Sequence, residues 1–332
     1  MRLTISLARA ALIKVWILMP TRALNSLAPH HVKLLGTLRA HGIWYSLRTL
    51  PGDSLITRAR NNLADTFLRE STDDDNHFAL WLDDDILFDP AAVLQLLALD
   101  LDFVAAPYTK KGLHMDRMHA AATLGWKSTD LESVSGTPNV NFLMNSLRLD
   151  EPTPVLEAGS GFWLHKRKVL RMMVDALSAP YQMVDPSGMV LWYPGIRYKR
   201  DVDEIAHYGT DHAYDFFKVG VWPETGNYLS EDWWFCRQWR ALGGTLYCAF
   251  WIPTQHLGPH MYQMNMDTLL GLLSQTEGYI HGPTWGKDST NGKTNGHDTG
   301  LGTGDGTLAA GVDAGSASGE TAVPSDPGPL GG

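Results

Sequence analysis

Only two cysteines occur in 332 residues, Cys236 and Cys248, so the chain has no disulfide framework and no cysteine spacing of a zinc site. That usage fits a reducing compartment, the cytoplasm of the producing or host cell. No run reaches the roughly 18 uninterrupted apolar residues of a membrane helix. The start, MRLTISLARAALIKVWILMP, is basic and apolar, but Arg9 and Lys14 interrupt it and no small-residue cleavage site follows. It therefore reads as the approach to a first core strand, Ile13 to Met19, rather than as an export signal. Positive charge is scarce as well. Of the formal −9, the stretch from residue 282 holds −4, with Lys287 and Lys293 against six carboxylates, which leaves −5 for the remainder. Such a balance argues against a surface built to grip long nucleic acid. Lys110, Lys111 and the run His165 to Lys168 are the places left for a local basic groove. No internal repeat is present.

Hydrophobic residues make up 44% of the chain, enough for a substantial core. They thin out toward the C-terminus: from about Gly282 the composition turns to Gly, Thr, Ser, Asp and Ala, with few large apolar side chains after Trp285. A segment of that kind buries too little surface to offset its ordering entropy. The expectation is one folded domain over residues 1–280 and a disordered tail over 281–332.

Within the domain, short apolar runs rich in β-branched and aromatic residues alternate with stretches of helical period. This is the pattern of an α/β layer fold, a mostly parallel sheet flanked by helices. The predicted strands are Leu12 to Met19, Ile43 to Leu50, His77 to Leu82, Asp102 to Pro107, Leu156 to Leu164 and Thr245 to Ile252. Helices are predicted over His30 to His41, after a cap at Asp53 or Ser54 with Leu55, Ala59, Leu63 and Phe67 as its apolar face, after Asp89-Pro90, over Lys166 to Leu177, and from Ser230 to Leu242 with Gly243-Gly244 as the stop. Gly159-Ser160-Gly161, inside an apolar run, indicates a bulge or a close backbone approach. Residues 112–150 and the aromatic-rich 178–229 follow no assignable period.

The third strand carries the main chemical signal. His77 to Leu82 is continuously apolar, as a strand covered on both faces should be, and it stops at Asp83-Asp84-Asp85. The next helix opens at Asp89-Pro90, so the triplet is expected in a short strand-to-helix loop at the sheet edge where ligands bind in open α/β folds. Asp83 and Asp85 can offer oxygens to a hard cation, Mg or Mn, bridging the phosphates of a nucleotide diphosphate, with Asp84 between them beside the nucleotide. The cation would act as a Lewis acid on the leaving nucleotide. A bare Asp triplet is ordinarily a solvated loop, but few such loops follow so apolar a strand.

His256 comes after the last core strand, where a neutral imidazole would suit Mn; His260 competes for the role, and a lone histidine is more often structural. Glu231 and Asp232 begin a helix, a place where the dipole alone favours acids. The functional alternative is a general base that takes the proton of an acceptor hydroxyl, with Asp232 preferred over Glu231. Arg58, Arg60 and Asn61, on the first turns of a helix at the same edge, are candidates for binding a nucleotide's base or phosphates, or else form a solvated face. Lys110 or Lys111 could neutralise diphosphate. Trp163, Trp233 and Trp234 either stack on a sugar or, more commonly for any one tryptophan, fill the core.

Taken in order, Asp83-x-Asp85 after an apolar strand, Gly159-Ser-Gly-Phe-Trp163, Ser230-Glu-Asp-Trp-Trp-Phe-Cys236 and the late His256-Leu-Gly258 resemble the GT-A glycosyltransferases over about residues 12–260. The family 2-like transferases of bacteria and bacteriophages look most similar. Arg58-Ala-Arg-Asn61 followed by Leu80-Trp-Leu-Asp-Asp-Asp85 also resembles yeast mannan-polymerase subunits. The resemblance implies a GT-A, Rossmann-like fold, a nucleotide-sugar donor, and Mn or Mg held by Asp83, Asp85 and His256. It further implies Asp232 or Glu231 beside the acceptor and Pro20 with Arg60 in the nucleotide pocket. On stereochemistry the two likenesses disagree: a late carboxylate base suits inversion, which is preferred, whereas mannan polymerase-like enzymes retain.

Two rivals belong to other classes. A Mg-dependent phosphotransferase or nuclease could use clustered aspartates but needs further carboxylates for a second ion. A sugar-binding module without turnover would have no use for Asp83, Asp85, Glu231 and Asp232. The acceptor is open among glycan, lipid, protein and a modified DNA base.

Overall fold

Unbroken apolar runs fold as strands only where both sheet faces are covered, and the first strand shows this directly. After a four-residue helix, α1 (Leu7–Ala10), strand β1 (Lys14–Thr21) is buried from its second residue onward. Helix α2 (Pro29–Ala40) leads to β2 (Trp44–Pro51), and α3 (Ile56–Glu70) to β3 (His77–Leu82); both strands lie parallel to β1, one on each side. The chain continues through β4 (Ile86–Phe88), α4 (Ala91–Ala98), β5 (Phe103–Ala105), α5 (Met115–Thr123), α6 (Leu131–Ser135) and β6 (Val140–Phe142). Next come β7 (Thr153–Ala158), β8 (Phe162–Lys166), α7 (Arg167–Leu177), β9 (Tyr181–Val184), β10 (Val190–Tyr193), β11 (Arg197–Lys199), α8 (Val202–Tyr208) and β12 (His212–Tyr214). A hairpin, β13 (Gly220–Val221) and β14 (Tyr228–Leu229), precedes α9 (Glu231–Ala241), β15 (Leu246–Cys248), β16 (Thr254–Leu257), β17 (Met261–Met264) and α10 (Met266–Leu273). This computed structural model describes residues 4–21, 29–143, 147–184, 190–193 and 195–275. The expected tail over 281–332 lies outside the described residues.

Eight strands form one mixed sheet in the order β2-β1-β3-β8-β5-β15-β7-β6. Pairing is antiparallel at β3/β8, β8/β5, β15/β7 and β7/β6 and parallel elsewhere, so six strands share one direction and only β7 and β8 reverse it. The α/β expectation, a mostly parallel sheet between helices, therefore holds. Side chains alternate across the sheet with the two-residue period of a strand. Trp16, Leu18, Trp81 and Trp163 pack with Phe67 of α3, Met173 of α7 and Phe235 of α9 on one face. Ile17, Met19, Leu80 and Leu164 pack with Leu34 of α2 and Val93 of α4 on the other. Among the described residues no helix is long and apolar enough to cross a membrane.

Several local expectations are corrected. The Asp triplet does not run straight into a helix, because β4 intervenes and pairs antiparallel with β16 in a three-stranded sheet with β17. Gly159-Ser160-Gly161 is the link between β7 and β8 rather than a bulge in one strand. The strand expected over Thr245 to Ile252 is confined to β15. Neither Asp53 nor Ser54 is the N-cap of α3: Leu55 occupies that position, and Asp53 instead accepts from the Leu55 amide at 2.9 Å. Leu55, assigned to the apolar face, is exposed. The two stretches without a period contain α5, α6 and β6, and β9 to β14 with α8.

Candidate functional site

Strands β1, β2 and β3 run in register and end at one edge of the sheet. Their ends, the β3–β4 turn, the start of α3 and the first residue of α9 enclose a cleft of about 400 Å³, lined by Pro20, Thr21, Leu50, Asp53, Ser54, Ile56, Ala59, Arg60, Asp83, Asp84, Asp85 and Glu231. That volume lies in the range of small-molecule sites. Five of the lining side chains are carboxylates and one, Arg60, is a cation.

The Asp83–Asp85 turn is clamped by its backbone. The Asp83 amide donates to the Gly161 carbonyl at 3.0 Å, and the Asp85 carbonyl accepts from the Leu257 amide at 2.7 Å. The turn is thereby tied both to the β7–β8 link and to β16. Arg60 Nη2 donates to Asp83 Oδ1 at 2.7 Å. Lys111 Nζ donates to Asp85 Oδ2 at 2.7 Å, and His256 Nε2 stands 3.4 Å from Asp85 Oδ1. Burial pushes the Asp85 carboxyl upward, but His256 and Lys111 together outweigh it and hold it at about 2. His256 Nδ1 lies 2.7 Å from the Thr109 carbonyl, which can only accept, so Nδ1 carries the hydrogen. Nε2 faces a carboxylate oxygen; a proton on that nitrogen would bridge the two, and its loss would leave two acceptors opposed. Two acceptors facing each other need a proton or a cation between them. A carbonyl on the far nitrogen is also how metal-binding imidazoles are commonly fixed.

The expected triad of Asp83, Asp85 and His256 is not gathered as such. Among the described residues no group of three or more His, Cys, Asp or Glu is placed to hold a metal ion. The structure brings together two other sets: Asp85 with His256 and Lys111, and Asp83 with Arg60 and Glu231. By donor chemistry Asp85 and His256 fit a divalent cation, while the Asp83 oxygen nearest Arg60 is engaged by the guanidinium.

The two acids of α9 point to different places. Glu231 lines the cleft, 3.8 Å from Arg60 Nε, and burial together with Asp232 raises its carboxyl against the pull of Arg60. Asp232 is buried. It accepts from Ser230 Oγ, from its neighbour Trp233 N at 2.8 Å and from the Ser160 backbone, and burial raises it too. Its hydrogen bonds tie the start of α9 to the β7–β8 link, whereas Glu231 faces the open space.

Pro20 and Asp84 lie in the cleft wall. Arg58 is taken up by Asp53, with contacts of 2.8 and 3.0 Å. Asn61 is turned inward: its amide donates to Asp215 Oδ1 and accepts from the Phe217 amide, both at 2.8 Å, so both ends are used in fastening residues 215–217 to α3. Lys110 lies over the Trp233 ring at 5.7 Å rather than in the cleft. Trp163 and Trp234 are buried, and His260 Nε2 approaches Glu132 at 3.8 Å.

Sequence reasoning passed over Tyr108, Thr109 and Asn139. The buried Tyr108 hydroxyl accepts from the Gly161 amide at 3.2 Å and from Asn139 Nδ2 at 3.1 Å, and its ring meets His256 edge-on at 5.3 Å. The two glycines were the available signal. A Cβ on Gly159 would lie 2.0 Å from Asn139 Nδ2 and 2.1 Å from the Tyr108 hydroxyl, and one on Gly161 would lie 3.1 Å from Asp83 Oδ2.

No protein-family model matches the chain, and no curated protein matches it. Among solved structures it is similar to A197 from STIV, at 14% identity, over 76% of this chain and 94% of that one, with a TM-score of 0.37. A likeness that distant bears on neither activity nor site residues.

Proposed function

We propose that the protein is a metal-dependent glycosyltransferase that uses a nucleotide-diphosphate sugar as donor, Glu231 as general base and a divalent cation, Mn or Mg, at Asp85 and His256. The observation that carries the proposal is the lining of the cleft: five carboxylates against one arginine, at the carboxyl ends of parallel strands. An anionic diphosphate would be repelled from such a wall unless a cation stood between them. The facing pair of Asp85 and His256 supplies a place for one.

When bound, the cation would stabilise charge on the departing diphosphate as a Lewis acid. The chain's own groups do the rest. Glu231, raised by burial, is a stronger base than an exposed carboxylate and takes the proton of the acceptor hydroxyl. The acceptor oxygen forms a bond to the anomeric carbon. The bond from that carbon to the phosphate oxygen breaks, and the nucleoside diphosphate leaves with the electron pair. Lys111, which neutralises Asp85 in the structure, is long enough to turn toward a phosphate once Asp85 has another cation partner. Pro20, Leu50, Ile56 and Ala59 offer apolar wall for the nucleoside. An acceptor oxygen attacking in line with the departing diphosphate would give inversion.

Release of nucleoside diphosphate from UDP-, GDP- and TDP-sugars in the presence of Mn tests this, with a CMP-sugar as the monophosphate control. The expected result is metal-dependent release from one donor, reduced by roughly 10²-fold or more in Glu231→Gln while donor binding persists. Failure of the folded protein to release nucleotide from any donor would refute it.

A further inference from the structure

Its place on the first turns of α3 makes Arg60 a candidate nucleotide ligand or part of a solvated face, yet its surroundings are those of an internal strut. Its side chain is 3% exposed. One nitrogen, Nη2, is bonded to Asp83 Oδ1 at 2.7 Å, and another, Nε, stands 3.8 Å from Glu231 Oε1, beyond hydrogen-bond range. Nε and Nη1 are both buried and find no hydrogen-bond acceptor among the described residues. The Phe217 ring lies under the guanidinium at 5.9 Å, and Asn61 on the next position of α3 fixes Phe217 by its amide. A planar guanidinium held this way keeps its fork in one orientation.

We infer that Arg60 is a positioning residue that bridges the Asp83 turn and Glu231, keeping the base beside the diphosphate-binding edge, rather than a ligand of the nucleotide. The inference rests on the glycosyltransferase reading for its purpose but not for its geometry. Three charged groups face Glu231: Asp232 on its own helix, Asp83 on the β3–β4 turn, and Arg60 on α3. Two are negative. Without Arg60 nothing in that set offsets them, and the carboxyl would move further upward. The unmade bond at 3.8 Å is the part of the strut free to tighten, since catalytic hydrogen bonds often close only when substrate is bound.

The test is a ¹³C NMR titration of the Glu231 carboxyl in the full, metal-free chain, as wild type, Arg60→Gln and Arg60→Lys. The inference predicts that Arg60→Gln moves the midpoint upward by about one pH unit, a tenfold change in proton affinity, and that Arg60→Lys, keeping the charge, moves it less than half as far. Binding of Mn with UDP or GDP should change less than threefold, and the acid limb of the donor-turnover profile should move with the midpoint. In the wild type the Arg60 ¹⁵Nε resonance should titrate with the same midpoint as Glu231, a readout that survives if Arg60→Gln does not fold. An unmoved Glu231 midpoint, or an Arg60 resonance indifferent to it, overturns the inference. A tenfold loss of nucleotide affinity with the midpoint unmoved would make Arg60 a nucleotide ligand instead. Both titrations need no substrate, so absence of turnover beside the predicted midpoints would refute the transferase reading alone.

Discussion

Adjacent residues of one helix turn can carry opposite tasks when one is satisfied by the protein and the other is not. Asp232 accepts from Ser230, Trp233 and Ser160, so Asp232→Asn should act on stability. Replacing a charged acceptor by an amide that cannot serve every donor costs about 1–3 kcal/mol, read as a lower urea midpoint. Glu231→Gln should leave that midpoint within about 0.5 kcal/mol and remove turnover. The reverse assignment, stability lost at 231 and turnover at 232, would restore the preference that the sequence suggested. Gly159 makes a second prediction at this scale. Its added methyl would meet Asn139 and Tyr108 well inside contact distance, both already hydrogen-bonded. Gly159→Ala is expected to cost about 1–3 kcal/mol, by overpacking, and to shift the Tyr108 side chain that backs His256. A fully neutral substitution, by equilibrium unfolding, would mean the link between β7 and β8 is not held as described.

Among the elements, α3 is the one whose character the sequence misrepresented. Its pattern promised a single apolar stripe of Leu55, Ala59, Leu63 and Phe67. In the fold Arg60, Asn61, Asn62 and Asp65 are buried as well, because β12, Arg200 and residues 215–217 cover its polar side. Arg200 reaches in from that cover, with Nη2 at 3.0 Å from both Asp65 and Asn62 and no exposed side-chain surface. Arg200→Met takes the donor from Asn62 and leaves Asp65 to Arg69 alone, and should cost about 1–3 kcal/mol. A loss under about 1 kcal/mol on urea unfolding would show the cover to be dispensable. Partners more than 130 residues away leave no mark on local periodicity, which is why this face was unreadable. The same holds for β4: three residues before a strong Asp-Pro helix signal become a strand only because β16 arrives beside them. What local chemistry dictates was legible, namely the apolar strands β1 and β3, the carboxylates at the end of β3, and the start of α9 after Ser230, whose hydroxyl bonds Asp232 rather than capping the helix. The site's supporting groups, Tyr108 and Thr109, lie in the irregular stretch after β5 and had no pattern to betray them.

Across the whole molecule the sheet separates two packed layers, and His165 sits inside one of them, wholly buried. Its Nδ1 donates to the Lys166 carbonyl at 3.0 Å and its Nε2 accepts from the Trp81 indole at 2.9 Å, so the neutral ring is fully satisfied. Burial lowers it to about 4, and His30, His31, His77 and His114 are lowered for the same reason. Between about pH 6.5 and 4 the unfolded chain therefore binds protons that the folded chain refuses, and stability falls as pH falls through that window. The raised carboxyls Glu231, Asp232 and Asp215 act in the opposite sense, against five lowered histidines, and the depressed Asp85 adds a further loss only below about pH 4. Urea unfolding at a series of pH values should show the decline; a flat profile from pH 7 to 4.5 would mean the histidines are accessible. The central claim is that a cation at Asp85 and His256 makes an acidic cleft receptive to a nucleotide diphosphate. Thermal unfolding of the wild type and of Asp85→Ala, with Mn and each of UDP, GDP and TDP, and with CMP as the monophosphate control, tests it. The account predicts a rise in Tm for one nucleotide that needs Mn and is lost in Asp85→Ala, since a ligand that binds only the folded state stabilises it by mass action. A rise independent of Mn, or no rise with any nucleotide in a chain that unfolds cooperatively, would contradict it.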